Sequence, residues 1–231
     1  MAKKPDKPPA VILLHGLARG ASSMHKLEAA LNAGGFKDTK SYDYPSTTLP
    51  IDKLARRLAS RLRQDWKDRP LHAVTHSLGG ILLRHIRDDR IRWRRIVMLA
   101  PPNQGSAVAA AMMDGAFSWA FTTVMGPAGK ALGAVTEASA HRAWPFPPAP
   151  FAVIAGTRKR DVMNPTSVLI SHRVFDGKTE HDGTVAVEET KLDGVAAFTT
   201  VDASHTAIMD TPEVHRLVLR FLQRGTFDDP R

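Results

Sequence analysis

Residues 71–81 read LHAVTHSLGGI. A short apolar run ends in Thr75-His76-Ser77-Leu78-Gly79-Gly80, and a helical pattern follows at once. Such a run, bounded by turn residues, has the pattern of a strand buried on both faces. A serine on a tight strand-to-helix turn is held out of the sheet, with its hydroxyl exposed and the next backbone N–H free. The start of the helix favours negative charge beside that hydroxyl. Gly79 and Gly80 allow the close approach that the turn and the strand–helix packing need. The usual pattern is G-x-S-x-G, and here the β-branched Thr75 stands at the first glycine. A plainer reading makes Ser77 a helix cap followed by packing glycines. The hexapeptide alone does not separate the two; the rest of the chain does.

Upstream, residues 10–14 (AVILL) read as a fully buried strand, followed by the small-residue loop His15-Gly16-Leu17-Ala18-Arg19-Gly20. Ser22 or Ser23 is placed to cap a helix with Met24, Leu27, Ala30 and Leu31 inward, stopped by Gly34-Gly35. A second strand over residues 40–44 ends in Tyr44-Pro45-Ser46. An amphipathic helix over residues 51–66 follows, with Ile51, Leu54, Leu58, Leu62 and Trp66 on one face. Downstream of Ser77 the helix is expected to reach about residue 87, and residues 95–100 (RIVMLA) read as another buried strand. Residues 151–155 (FAVIA) and 198–201 restore the strand pattern late in the chain, with His172 to Phe175 and the turn-rich residues 176–183 between them. Thr211-Pro212-Glu213 opens a final helix as cap, proline and acid, and Gly225 stops it.

This alternation predicts an α/β fold, a mainly parallel central sheet with helices on both faces. Binding sites in such sheets lie beyond the carboxyl ends of the strands, where His15-Gly16, Tyr44-Pro45, Ser77 and Pro101-Pro102 all fall. The expected organisation is a flexible segment over residues 1–9, one domain over 10–225 and a tail over 226–231. Residues 103–150 break the rhythm as a helical insert, with helices over about 106–125 and 127–139 and a connector Trp144-Pro145-Phe146-Pro147-Pro148. Such a segment serves as a lid or acyl-binding wall, or as ordinary crossover helices.

The 231 residues suffice for one domain with a full core. Hydrophobic residues make up 43% and charged residues 24%, as in ordinary globular chains. The absence of cysteine excludes disulfides and thiol chemistry, and MAKKPDKPPA lacks the apolar core of a signal peptide. A cytoplasmic location is the expectation. The net charge of +9 clusters in residues 53–69 and 84–95, read as solvated helix faces. No zinc-ligand set or RNP-like strand supports specific nucleic-acid binding.

A serine hydroxyl needs a base within hydrogen-bond reach, and the base needs an orienting carboxylate. The base belongs on the loop after the last strand, which singles out His205. His76 is expected to point away from the site if Ser77 points into it. The acid is Asp182, in His181-Asp182-Gly183-Thr184-Val185, or Asp161 after the strand ending at Gly156; Asp182 is favoured. Asp176 and Asp202 read as turn residues. The oxyanion hole needs two N–H donors aimed at one point, supplied by Leu17 and Leu78.

The chain resembles α/β-hydrolases of the bacterial lipase and esterase type. The resemblance rests on His15-Gly16-Leu17-Ala18-Arg19, Tyr44-Pro45-Ser46, His76-Ser77-Leu78-Gly79-Gly80, Ala100-Pro101-Pro102-Asn103-Gln104-Gly105-Ser106, Asp182-Gly183-Thr184-Val185 and Ser204-His205-Thr206. These pieces span nearly the whole chain in the family's order. The resemblance implies an α/β-hydrolase fold with Ser77 as nucleophile, His205 as base, Leu17 and Leu78 as oxyanion donors and no metal or cofactor. The D-G-x-V pattern of related lipases assigns Asp182 as the acid, while the shortest relatives would favour Asp161. The expected activity is cleavage of carboxylic esters. Acyl transfer or thioester hydrolysis is the alternative, and a non-catalytic relative that binds an anionic surface is a third. The apolar insert points to an acyl chain, with Trp119, Phe121, Trp144 and Phe146 as candidate substrate-binding residues. The expected partner is a small-molecule or lipid ester, with peripheral contact to a lipid surface.

Overall fold

The computed structural model describes residues 7–114, 118–136, 139–140, 143–160 and 165–228. Six strands form one sheet: β1 (Ala10–Leu14), β2 (Thr39–Tyr42), β3 (Leu71–His76), β4 (Trp93–Leu99), β5 (Phe151–Gly156) and β6 (Ala197–Val201). Their order is β2-β1-β3-β4-β5-β6, and every neighbouring pair is parallel. The chain winds one way from β1 to β2, then crosses to the other side of β1 to lay down β3. That reversal opens a crevice at the carboxyl ends of β1 and β3. Leu14 pairs with Thr75 and His76 with Leu99, so β1, β3 and β4 end nearly level.

Side chains on a strand alternate faces, and both faces of this sheet are covered. Ile12 and Leu14 join one core with Leu54, Leu58 and Leu62 of α2 (Ile51–Trp66) and Ile81 of α3 (Leu78–Arg84). Val11 and Leu13 face the other core. There they meet Leu27 and Leu31 of α1 (His25–Ala33) and Val214, Val218 and Phe221 of the C-terminal helix over residues 212–224.

Between β4 and β5 lie α4 (Ala107–Asp114) and α5 (Ser118–Ala134). The sequence reading put two helices here, broken at Gly126-Pro127. The break is present: Gly126 adopts φ 63° and ψ −164° inside α5. The backbone there lies against the β2–α2 loop, where a Cβ would meet the Thr47 carbonyl oxygen at 1.6 Å. Before β6 come α6 (Pro165–Val174), which periodicity did not place, and the short α7 (Val187–Thr190); α8 (Pro212–Arg224) closes the fold.

Three local expectations differ from the structure. Ser22 and Ser23 do not cap α1; they lie in a 3-10 turn (Ala21–Met24), and Ser23 donates to the Gly20 carbonyl. Thr211 precedes α8 but donates its hydroxyl to the Ala207 carbonyl. Helix α3 ends at Arg84 rather than near residue 87, and Arg84 is buried, not solvated. Among the described residues, no helix is long and apolar enough to cross a membrane.

Candidate active site

Ser77 stands between β3 and α3 with φ 52° and ψ −123°, a backbone region costly for any residue bearing a Cβ. The turn is fixed on both sides. The Ser77 N–H donates to the Leu99 carbonyl at 2.9 Å, and Gly80 N–H donates to the Ser77 carbonyl at 2.9 Å. Glycines supply the room. A Cβ on Gly79 would lie 2.6 Å from the Leu14 carbonyl oxygen and 2.8 Å from that of His15. Thr75 fits where the usual pattern has glycine because Gly80 faces it. A Cβ at Gly80 would sit only 3.3 Å from Thr75 Oγ1.

The structure brings Ser77, His205 and Asp182 into one line. Ser77 Oγ lies 3.0 Å from His205 Nε2, and His205 Nδ1 lies 2.7 Å from Asp182 Oδ2. A carboxylate only accepts, so Nδ1 carries the proton and Nε2 offers its lone pair to the Ser77 hydroxyl. Asp182 is itself oriented: Oδ1 accepts from Thr184 N–H at 3.0 Å and Val185 N–H at 2.7 Å. The end of β5 makes space for it, since a Cβ on Gly156 would come within 2.8 Å of Asp182 Cβ. All three side chains are buried. Asp161 lies outside the described residues. Asp176 binds the backbone of its own turn, and Asp202 pairs with Arg158.

The loop after β1 is held over the serine. His15 stacks on Tyr44 at 4.0 Å between ring centroids, and the Tyr44 hydroxyl donates to the His15 carbonyl. Ala18 N–H donates to Ser46 Oγ at 3.0 Å. A Cβ on Gly16 would fall 3.2 Å from Ser77 Cβ, so glycine lets this backbone touch the serine. The N–H of Leu17 follows directly. Leu78, the first residue of α3, has no carbonyl four residues back within the helix to receive its N–H.

The three apolar candidates with described side chains disperse. Trp119 on α5 is 70% exposed. The side chain of Phe121 lies outside the described residues. Trp144 is buried over Arg84, which donates to its carbonyl at 3.1 Å. Phe146 packs edge-on against Phe151, the first residue of β5, and beside Gly194 just ahead of β6. It therefore sits at the amino ends of the strands, opposite Ser77. The connector returns to the start of β5 and carries Phe146 there, so the structure does not bring this candidate beside Ser77.

His76 and Arg84 make contacts the sequence reading did not expect, and Glu189 was not singled out by it. His76 Nε2–H donates to the His205 carbonyl at 2.9 Å. Arg84 donates to the Pro145 carbonyl at 2.6 Å and to Asn103 Oδ1 at 2.9 Å, while Asn103 donates to the Thr190 carbonyl. Burial lowers the Arg84 pKa to about 10. Glu189 accepts from Ala107 N–H at 2.6 Å and Ala186 N–H at 2.8 Å, joining the first helix of the insert to the loop that carries Asp182. Burial raises its carboxyl to about 7, and nearby Asp182 adds to the rise. An acid three residues into a helical turn, reaching back to the turn's first N–H, was the legible signal for Glu189. Burial pushes His15 below, and His76 well below, the ordinary imidazole value. Among the described residues, no group of three or more His, Asp or Glu side chains could hold a metal ion.

No protein-family model matches the sequence, and no curated protein matches it. Solved structures do. The mature lipase of Bacillus licheniformis superposes with a TM-score of 0.73 at 19% identity, over 95% of this chain and 92% of the lipase. The chain has the α/β-hydrolase fold. It spans about half, 51%, of the same lipase in its propeptide form. A monoacylglycerol lipase of Paleococcus ferrophilus matches at 0.54 and 20% identity, over 94% of this chain and 96% of that one. A thioesterase of prodiginine biosynthesis from Streptomyces coelicolor matches at 0.54 and 13%, over 96% and 95%. Ligands bind beyond the carboxyl ends of the strands in such sheets, and there Ser77 follows β3, His205 follows β6 and Asp182 lies against Gly156 at the end of β5.

Proposed function

We propose that this chain is a serine hydrolase that cleaves carboxylic esters through an acyl-serine intermediate. The observation that carries the reading is the line Ser77–His205–Asp182, with contacts of 3.0 and 2.7 Å, on a turn whose serine is held at φ 52°. Ser77 Oγ attacks the ester carbonyl carbon as its proton passes to His205 Nε2. Asp182 holds the Nδ1–H and stabilises the imidazolium that forms. The N–H groups of Leu17 and Leu78 receive the developing oxyanion, each such donor being worth about 3 kcal/mol in comparable sites. The tetrahedral intermediate expels the alcohol, which takes the proton from His205. Water then attacks the acyl-serine by the same route, with His205 as base, and releases the acid and free Ser77.

The exposed Trp119 and Val124 on α5 suit an apolar acyl chain or a lipid surface better than a charged substrate. Thioester hydrolysis or acyl transfer on the same groups is the second reading, favoured by the likeness to a thioesterase. A non-catalytic binding role leaves the alignment of all three side chains without a purpose. The test is turnover of p-nitrophenyl esters from acetate to palmitate by wild type and Ser77→Ala, with acyl thioesters alongside. The expected result is turnover by wild type and at least a roughly thousandfold loss in the variant. Equal rates in the two proteins would sink the proposal. Turnover confined to thioesters would move it to the second reading.

A further inference from the structure

His76 takes part in none of these steps, yet it is buried in the middle of them. Strand β3 carries it one residue before Ser77. Its Nε2–H donates to the His205 carbonyl at 2.9 Å, and the His205 N–H donates to the Asp182 carbonyl at 2.9 Å. Both backbone polar groups of the base residue are therefore held, one by the nucleophile's own strand and one by the acid loop. The two imidazoles lie 4.9 Å apart at a 48° tilt. On its other side His76 supports the loop after β1, for a Cβ on Gly16 would meet His76 Nδ1 at 2.9 Å. One ring thus touches all three loops that supply the proposed nucleophile, base and oxyanion donor.

The chemistry fits a fixed, neutral ring. A carbonyl only accepts, so the Nε2–H tautomer is required and Nδ1 keeps its lone pair toward Gly16. A second positive charge beside His205 would oppose the proton it takes from Ser77. Burial opposes protonation of the ring, as do the neighbouring His205, Arg19 and His15, while the hydrogen bond to the His205 carbonyl favours it.

We propose that His76 is a positioning residue for His205: its Nε2–H fastens the base loop so that the imidazole stays aligned between Ser77 and Asp182. The proposal rests on the reading of Ser77 as a nucleophile. A purely structural role would fill space and satisfy a carbonyl. A positioning role makes turnover depend on the donor.

The experiment compares His76→Phe, which keeps a ring and loses the donor, with His76→Gln, whose amide Nε2 lies the same three bonds from Cβ. A misplaced catalytic group costs about a hundredfold. His76→Phe is expected to lose about ten- to a hundredfold in kcat on a p-nitrophenyl ester, with KM changed by less than about twofold. His76→Gln is expected to recover most of the loss. Wild-type kcat in folded His76→Phe, or equal losses in both variants, would overturn the proposal. Wild-type protein supplies a test that needs no variant. Imidazole 15N NMR should show His76 as the Nε2–H tautomer from about pH 5 to 8, and an Nδ1–H tautomer or a titration in that range would overturn it. A wild type with no ester turnover and no fluorophosphonate label at Ser77 would defeat the hydrolase reading itself. A labelled wild type matched by His76→Phe would defeat only this inference.

Discussion

Asp182 carries two separable duties. Its Oδ1 accepts two backbone N–H groups and its Oδ2 accepts from His205. In Asp182→Asn the amide oxygen keeps the backbone contacts and the NH2 turns toward His205. His205 Nδ1 must then accept, and its proton moves to Nε2, facing Ser77. The variant is expected to fold and to lose about 10⁴ in kcat from the wrong tautomer; stopped assays beside circular dichroism check both halves. Ser77 and His205 were legible because a strand–turn–helix and a loop after the last strand are sequence features. The service of His76 was not. Alternation along β3 predicts a ring turned away from the site; the fold sets it against the His205 ring, and no pattern reveals that the carbonyl it meets belongs to residue 205. Thr75 stands where the usual pattern has glycine, and what admits it is the facing Gly80, a contact only the folded turn creates.

The Glu189 carboxyl ties the first helix of the insert to the acid loop. Glu189 titrates near 7 in the folded chain against an ordinary 4.5, so the native state binds its proton more tightly than the unfolded chain. Its contribution to stability is fully present below about pH 4.5 and is lost as pH rises through about 7, by up to roughly 3 kcal/mol. In Glu189→Gln that loss should vanish: urea unfolding at pH 5 and pH 7 should differ less in the variant than in wild type. An equal difference in both would contradict the assignment. Within α5, Gly126→Ala sets a Cβ against the Thr47 carbonyl at a backbone angle only glycine adopts freely. A loss of about 1–3 kcal/mol is expected, read as a lower urea midpoint. The insert was the least legible element. Its Ala- and Gly-rich helices carry little amphipathic contrast, so the break at Gly126-Pro127 showed while the surroundings of Trp144 and Phe146 did not.

Across the whole molecule, the alternation of buried runs and amphipathic helices was enough to predict a parallel sheet covered on both faces. It did not predict how distant segments are tied. Arg84 was read among the solvated basic residues because its neighbours Arg87 and Arg90 are basic. In the fold it is enclosed, linking α3 to Asn103 at the root of the insert and to the carbonyls of Trp144 and Pro145. Arg84→Met would leave those acceptors unpaired and is expected to cost about 2–4 kcal/mol in urea unfolding. Lysine should not rescue it, since one ammonium lacks the planar fork that reaches three acceptors.

The central claim is that Ser77 is a nucleophile activated by His205. Intact-protein mass spectrometry after incubation with a fluorophosphonate tests it most directly. The account predicts one adduct per chain, mapped to Ser77, absent in Ser77→Ala and strongly slowed in Asp182→Asn. A folded wild type that remains unmodified, or an adduct that persists in Ser77→Ala, would contradict it.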